Sequence, residues 1–276
     1  MQVANKIMTV DPLDIKVTYD KPHTETDQDI AARIADRFDI LELLTESCIV
    51  GEVRSLIVSG PAGLGKSYTV EHRLRAWDPD EVNHRIVKGY VRATGLIKML
   101  YRYREYGQVL AFDDADNIFF DDVSLNLLKA VCDTTERRRV SWLSEAILVD
   151  DETGDMIPKS FDFHGSVIFI SNYDFDAMIE RGHKLAPHLQ ALVSRSMYID
   201  LEMRTKRDFI VRIEQVVKDG LLPNHTEDEV QDILDFIREY ADDLRELSLR
   251  IAIKIGIIRK QSEDWRRIAW VTCCKK

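Results

Sequence analysis

Apolar side chains along this chain change their period several times, and each change marks an element. Between residues 29 and 45, Ile30, Ile34, Phe38, Ile40, Leu41 and Leu44 recur at helical spacing, which predicts one helix or two with a buried face. Residues 55–59 then form a short continuous run of strand character, and a helical pattern resumes from Lys66 to Trp77. A strand is expected over 85–90, a turn over 91–94, an amphipathic helix over 95–106, a buried strand over 108–113 and a helix over 123–132. Two strand-like runs, 140–149 and 156–163, flank the turn-rich acidic segment 150–155 and read as a hairpin. A buried strand over 165–172, a helix over 187–193 and a last strand over 197–201 follow. Beyond that the period is wholly helical: Thr205 opens a helix that stops near Gly220, Thr226 with Glu229 makes a capping box, and Ser248 and Ser262 are expected to cap a third and a fourth.

Alternating strands and helices predict an α/β core, a parallel sheet covered on both faces, followed by a small all-helical unit. The expected division is an N-terminal arm over 1–27, with one strand around 14–19, a core over 28–201 carrying the hairpin at about 140–163, and a helical lid over 202–276.

Composition narrows the picture. With 45% hydrophobic residues in 276, the chain can bury a sizeable core. No apolar run is long enough to cross a bilayer, and Met1 to Val10 lacks the basic start and apolar stretch of a secretion signal, so a soluble, cytoplasmic protein without membrane contact is expected. Cys48, Cys132, Cys273 and Cys274 are scattered or vicinal and have no metal-ligand spacing, which predicts reduced thiols. A net charge of −10 argues against a protein that coats nucleic acid over its whole surface and leaves room for a local basic channel.

The candidate chemistry starts where the first strand meets the second helix. Gly60-Pro61-Ala62-Gly63-Leu64-Gly65-Lys66-Ser67 has the spacing of a phosphate-binding loop: backbone N–H groups wrap a triphosphate, Lys66 reaches the outer phosphates, and the Ser67 hydroxyl meets Mg²⁺. The helix that follows points its positive end at the same anion, and Tyr68 opens it beside the nucleotide. The strand over 108–113 ends in Asp113, and Asp114 follows it directly. Asp113 would hold Mg²⁺ and Asp114 would deprotonate the attacking water, although an apolar run closed by acids is also an ordinary helix cap. Asn172 ends the next buried strand, where its amide could bind the water or the terminal phosphate; taken alone it better suits a turn, and its sheet-edge position and order in the chain reverse that.

In this order the pieces resemble the AAA+ ATPase family over about residues 30–270. Gly60 to Ser67 matches Walker A, Val109 to Asp114 Walker B, and Ser171-Asn172 sensor 1; Ser194-Arg195 looks like the arginine finger, and Ser248-Leu249-Arg250 looks like sensor 2. Arg181 and Arg245 compete for the two arginine roles. The resemblance implies ATP hydrolysis with Mg²⁺ at sites shared between subunits of a homo-oligomeric ring or spiral, expected to be a hexamer, with Arg195 supplied by the neighbour and Arg250 by the same subunit's lid. The chain also resembles small bacteriophage-encoded members of the family. It departs from the pattern at Asp114, where Glu is usual, so hydrolysis is expected to be slow or assisted by Asp116. The turn over 91–94 falls where the family carries a pore loop and offers Arg92, which suits nucleic-acid phosphates. The expected function is therefore remodelling or translocation on nucleic acid or on a replication or recombination partner. The alternatives are a protein remodeller or loader, a nucleotide-gated module with weak hydrolysis, and a P-loop small-molecule kinase.

Overall fold

The computed structural model describes residues 25–145 and 147–275. The strand expected over 14–19 lies outside them. A single helix, α1 (Asp27–Ile49), begins at a capping box in which Thr26 and Asp29 each satisfy the other's backbone N–H. Its buried stripe is Ile30, Ile34, Phe38, Leu41, Thr45 and Cys48. Ile40, expected in that stripe, is 37% exposed, because residue 41 already fills the inward position one turn beyond Phe38.

Five parallel strands form the sheet, in the order β2 (His84–Lys88), β3 (Val109–Asp113), β8 (Ser166–Ser171), β1 (Ser55–Ser59) and β9 (Met197–Asp200). Alternation along the central strands divides the core into two layers. Leu56, Val58, Val109, Ala111, Ile168 and Ile170 face α1 and α2 (Lys66–Trp77). Ile57, Leu110, Phe112, Val167 and Phe169 face α3 (Ala93–Arg102), α4 (Asp122–Val131) and α6 (Ala186–Val193). The result is the expected three-layer α/β core.

Several boundaries differ from the sequence reading. β2 stops at Lys88, so Gly89, with φ of 90°, and Tyr90 belong to the following loop, and Ala93 and Thr94 already belong to α3. α3 ends at Arg102 rather than near 106, since the Arg104 carbonyl accepts from the N–H groups of His164 and Gly165 at the entry to β8. The hairpin is antiparallel as expected, but each run is split: β4 (Arg139–Ser141) pairs with β7 (Ser160–Asp162), and β5 (Leu148–Val149) with β6 (Met156–Ile157). Pro158 stands at the break, where it has no N–H to give the ladder. A helix too short for periodicity to reveal, α5 (Phe175–Glu180), is capped by Asp174.

After β9 come α7 (Lys206–Val216), α8 (Glu227–Glu239), α9 (Leu249–Gln261) and α10 (Trp265–Cys273). They share a core of their own, including Ile213, Ile233, Phe236, Ile255 and Trp265. Thr205, Thr226 and Ser248 cap their helices as expected. Ser262 does not cap α10; it closes α9, and its hydroxyl accepts the N–H of Asp264, which holds the capping position.

Candidate functional site

Three strands, β1, β3 and β8, deliver their carboxyl ends to one edge of the sheet, where folds of this type receive ligands. The chain leaves Ser59 and passes through Gly60, Gly63 and Gly65, whose φ values are 149°, 76° and 108°. Glycine alone takes these angles without strain, so the loop can turn its amides inward and deliver Lys66 to the first turn of α2. Lys66 is only 5% exposed, and its ammonium donates to the Gly60 carbonyl at 2.7 Å, the Pro61 carbonyl at 2.8 Å and Asn172 Oδ1 at 2.9 Å. All three acceptors are neutral, so the buried charge has no direct carboxylate partner. Burial pushes its pKa down to about 8, against the pull of Asp114, Asp113 and Asp116.

Asn172, one residue past β8, links two groups. Its amide oxygen accepts from Lys66, and its Nδ2 donates to Asp114 Oδ1 at 2.8 Å. Asp114 is exposed and has φ of 53°, a left-handed turn that swings it off the strand direction. Asp113, buried at the end of β3, accepts the Ser67 hydroxyl at 2.7 Å. Asp116 sits half-buried on the next turn with Oδ1 unpartnered; burial raises its pKa, opposed by hydrogen bonds from the Ser171 hydroxyl and the Asn172 backbone.

The remaining predicted residues divide by position. Pro61, Ala62, Gly63 and Leu64 line or support the loop; Leu64 is fully buried in the core beneath it. Tyr68 is 72% exposed and stacks on His72. Arg250 is exposed on the first turn of α9, and a methyl group added at Gly63 would lie 3.7 Å from its Nη1. The Leu249 N–H donates to the Gly63 carbonyl at 2.8 Å, so the start of α9 rests on the loop itself. Arg195 is not brought to this edge. It precedes β9, whose first residue is in register with Leu56 near the start of β1, and its Nη1 donates to the Ala191 carbonyl at 2.7 Å. At about 3.3 Å per residue, the length of β1 separates it from its own loop by roughly 15–20 Å.

Some neighbours of the site were not anticipated. Lys88 reaches Asp113 Oδ2 at 3.3 Å from the end of β2; the strand expected over 85–90 overran β2 by two residues, so aligning the predicted strand ends would have set Tyr90 there instead. Arg212 of α7 lays its guanidinium over the Phe38 ring, 3.6 Å from the centroid, with Nε 3.4 Å from the Leu64 carbonyl. Burial pushes its pKa down to about 10. No local pattern connects α1, the loop and α7, so sequence carried no signal for this contact.

The residues fit the groups that such a fold implies. Positive-φ glycines and a buried ammonium at the start of α2 fit a polyphosphate. The Ser67 hydroxyl and Asp113 carboxylate are hard oxygen donors that fit Mg²⁺, which retains water and phosphate as further ligands. Among the described residues no cluster of three His, Cys, Asp or Glu could hold a metal ion.

Sheet order, glycine loop and appended helices together define the AAA+ ATPase fold. A mutant of RuvB from Thermotoga maritima is similar in structure, with a TM-score of 0.50 and 16% sequence identity over 88% of this chain and 69% of that one. The chain belongs to the family of the uncharacterized 36.7 kDa protein in the nrdC–mobD intergenic region of Enterobacteria phage T4. The two are 37% identical over 254 residues, which cover 89% of this chain and 76% of the phage protein. No protein-family model matches the chain. Among the described residues no helix is long and apolar enough to cross a membrane.

Proposed function

We propose that this protein is an ATP hydrolase that works as a homo-oligomer, with Arg195 of one subunit acting at the glycine loop of the next, and that it uses the cycle to remodel or move along nucleic acid. The hydrogen-bonded line from Lys66 through Asn172 to Asp114, beside the Ser67–Asp113 pair, carries the proposal. It sets a cation for the terminal phosphate and a carboxylate base at the two ends of one amide. Lys66 and the loop amides bind the β- and γ-phosphates and disperse the charge that builds there during transfer. Asn172 orients the attacking water, and Asp114 takes its proton as the new P–O bond forms and the bond to the bridging oxygen breaks, releasing ADP and phosphate. Ser67 and Asp113 would hold Mg²⁺, which would supply further charge neutralisation on the phosphates.

The distance of Arg195 from its own loop supports a shared site, since no side chain spans the length of β1. Nucleic acid is supported by the loop between β2 and α3: Arg92 is exposed at its end, and Tyr90 beside it is 78% exposed. A cation next to an open aromatic face suits a phosphate backbone with stacked bases. The acidic hairpin tip opposes this less than its sequence implies, because Lys98 and Arg102 of α3 pair with Asp151, Asp150 and Glu152. A second reading, a nucleotide-gated module with weak turnover, is favoured by Asp114 itself, a short base already engaged by Asn172.

The test is nucleotide binding and phosphate release by the wild type, Lys66→Ala and Asp114→Asn, each with and without single-stranded DNA. Lys66→Ala should lose binding, whereas Asp114→Asn should bind and release phosphate at least a hundredfold more slowly, the order of a lost general base. Unaltered turnover in Lys66→Ala would sink the assignment. Binding without appreciable turnover in the wild type would select the second reading.

A further inference from the structure

Both oxygens of the carboxylate assigned to the metal are engaged by the chain's own donors. Asp113 Oδ1 accepts from Ser67 at 2.7 Å, and Oδ2 faces the Lys88 ammonium at 3.3 Å. The fold sets this pairing: β2 and β3 run in a register that puts Lys88 directly beside Asp113. On its other side Lys88 is held by Glu71 Oε2 at 2.9 Å, and Glu71 lies on α2 one turn beyond Ser67. Ser67, Asp113, Lys88 and Glu71 thus form a line of alternating donors and acceptors that ties α2 to the ends of β2 and β3. The Lys88 side chain is 54% open to solvent, so its ammonium can leave Asp113 while keeping Glu71.

We propose that Lys88 is a resident counter-ion of Asp113, which a divalent cation must displace toward Glu71, so that the site holds nucleotide without metal and takes up Mg²⁺ as a separate, weakened step. The proposal rests on the phosphate-loop reading above. Its physical basis is charge. With Lys88 in place, Asp113 does not repel an incoming polyphosphate when no metal is present. The same ammonium opposes a dication at the same oxygen, since like charges at such separations disfavour each other strongly. Glu71 gives the displaced ammonium a partner, so the exchange does not strand a charge. Lys88 is a positioning residue here, acting through Asp113.

The experiment measures binding of a fluorescent non-hydrolysable ATP analogue in EDTA and in saturating Mg²⁺ for the wild type, Lys88→Met and Lys88→Arg, and Mn²⁺ binding to each analogue complex by electron paramagnetic resonance. The ratio of the two analogue dissociation constants reports how strongly metal and nucleotide are coupled. In Lys88→Met this ratio should rise about tenfold and Mn²⁺ should bind about three- to tenfold more tightly, the scale of one partly exposed charge pair; Lys88→Arg should stay within about twofold of the wild type. A ratio and Mn²⁺ affinity in Lys88→Met equal to those of the wild type would overturn the proposal. Failure of the wild type to bind the analogue under either condition would instead overturn the phosphate-loop reading, so the two failures are distinct. Thermal unfolding of each variant confirms that the comparison is made on folded protein.

Discussion

Single residues at the loop and at the hairpin tip carry separable energies. Gly63 combines a φ of 76° with a neighbour that leaves no room, since an added Cβ would sit 2.7 Å from Ser248 Cβ. Gly51 has a similar φ of 81° and nothing within 4 Å. Gly51→Ala should therefore cost about 1 kcal/mol, the conformational term alone, whereas Gly63→Ala should cost about 2–4 kcal/mol because α9 must also shift. Urea unfolding of the two variants measures the difference, and equal costs would mean that α9 does not bear on the loop. At the hairpin tip, Asp150 is buried and held by Arg102, with further hydrogen bonds from the N–H groups of Glu152 and Thr153. The Arg102 hydrogen bond leads in drawing its carboxyl down to about 2. A depressed carboxyl stabilises the fold fully above its unfolded value of about 3.9 and loses that contribution as pH falls toward 2. Asp150→Asn should lower the melting temperature near neutral pH, and its deficit relative to the wild type should shrink steadily from pH 4.5 to pH 3.

Elements meet through a few polar anchors as well as through apolar layers. Arg138, only 3% exposed, fixes the base of the hairpin: Nη1 donates to the Val131 carbonyl at the end of α4, and Nη2 to the Gly165 carbonyl just before β8. No carboxylate pairs with it among the described residues, and burial pushes its pKa down to about 10. Its guanidinium also lies over the Phe163 ring, 5.1 Å from the centroid. Arg138→Met keeps the packing volume but orphans two buried carbonyls, so a loss of about 2–4 kcal/mol is expected. Faster amide exchange concentrated in β4 and β7 would accompany it; uniform exchange changes across the sheet would argue against this anchor. The loop and α9 are joined in the same manner, by the Leu249 N–H to the Gly63 carbonyl. That link gives the C-terminal helices, through the start of α9, a direct hold on the glycine loop.

Across the whole molecule, Arg195 and Lys66 lie at opposite ends of the parallel sheet. If one subunit's Arg195 serves its neighbour's loop, Arg195→Ala and Lys66→Ala subunits should each be inactive alone and recover part of the wild-type ATP turnover when mixed. The recovery arises at interfaces that combine an intact loop with an intact arginine. Absence of recovery in mixtures that demonstrably co-assemble would point to self-contained sites. The described surface also exposes Leu143, Ile147 and Met156 on the hairpin, so that element presents apolar as well as charged side chains to solvent.

The order of strands and helices, the caps at Thr205, Thr226 and Ser248, and the glycine loop were legible in the sequence, because each depends on contacts or angles within a few residues. The hairpin was legible as a unit, but its break at Pro158 and the short α5 were not, since each interrupts or falls below the period on which such reading depends. At the site, sequence alone nominated Lys66, Ser67, Asp113, Asp114 and Asn172. Only the parallel register of β8 between β3 and β1 decided that Asn172 lies between Lys66 and Asp114. Tertiary structure likewise decided that Lys88 occupies the second oxygen of Asp113, that Arg212 covers Phe38 beside the loop, and that Arg195 lies at the far end of the sheet. These relations join residues distant in the chain, and the physical agent that joins them is the burial of two apolar layers on either side of one sheet.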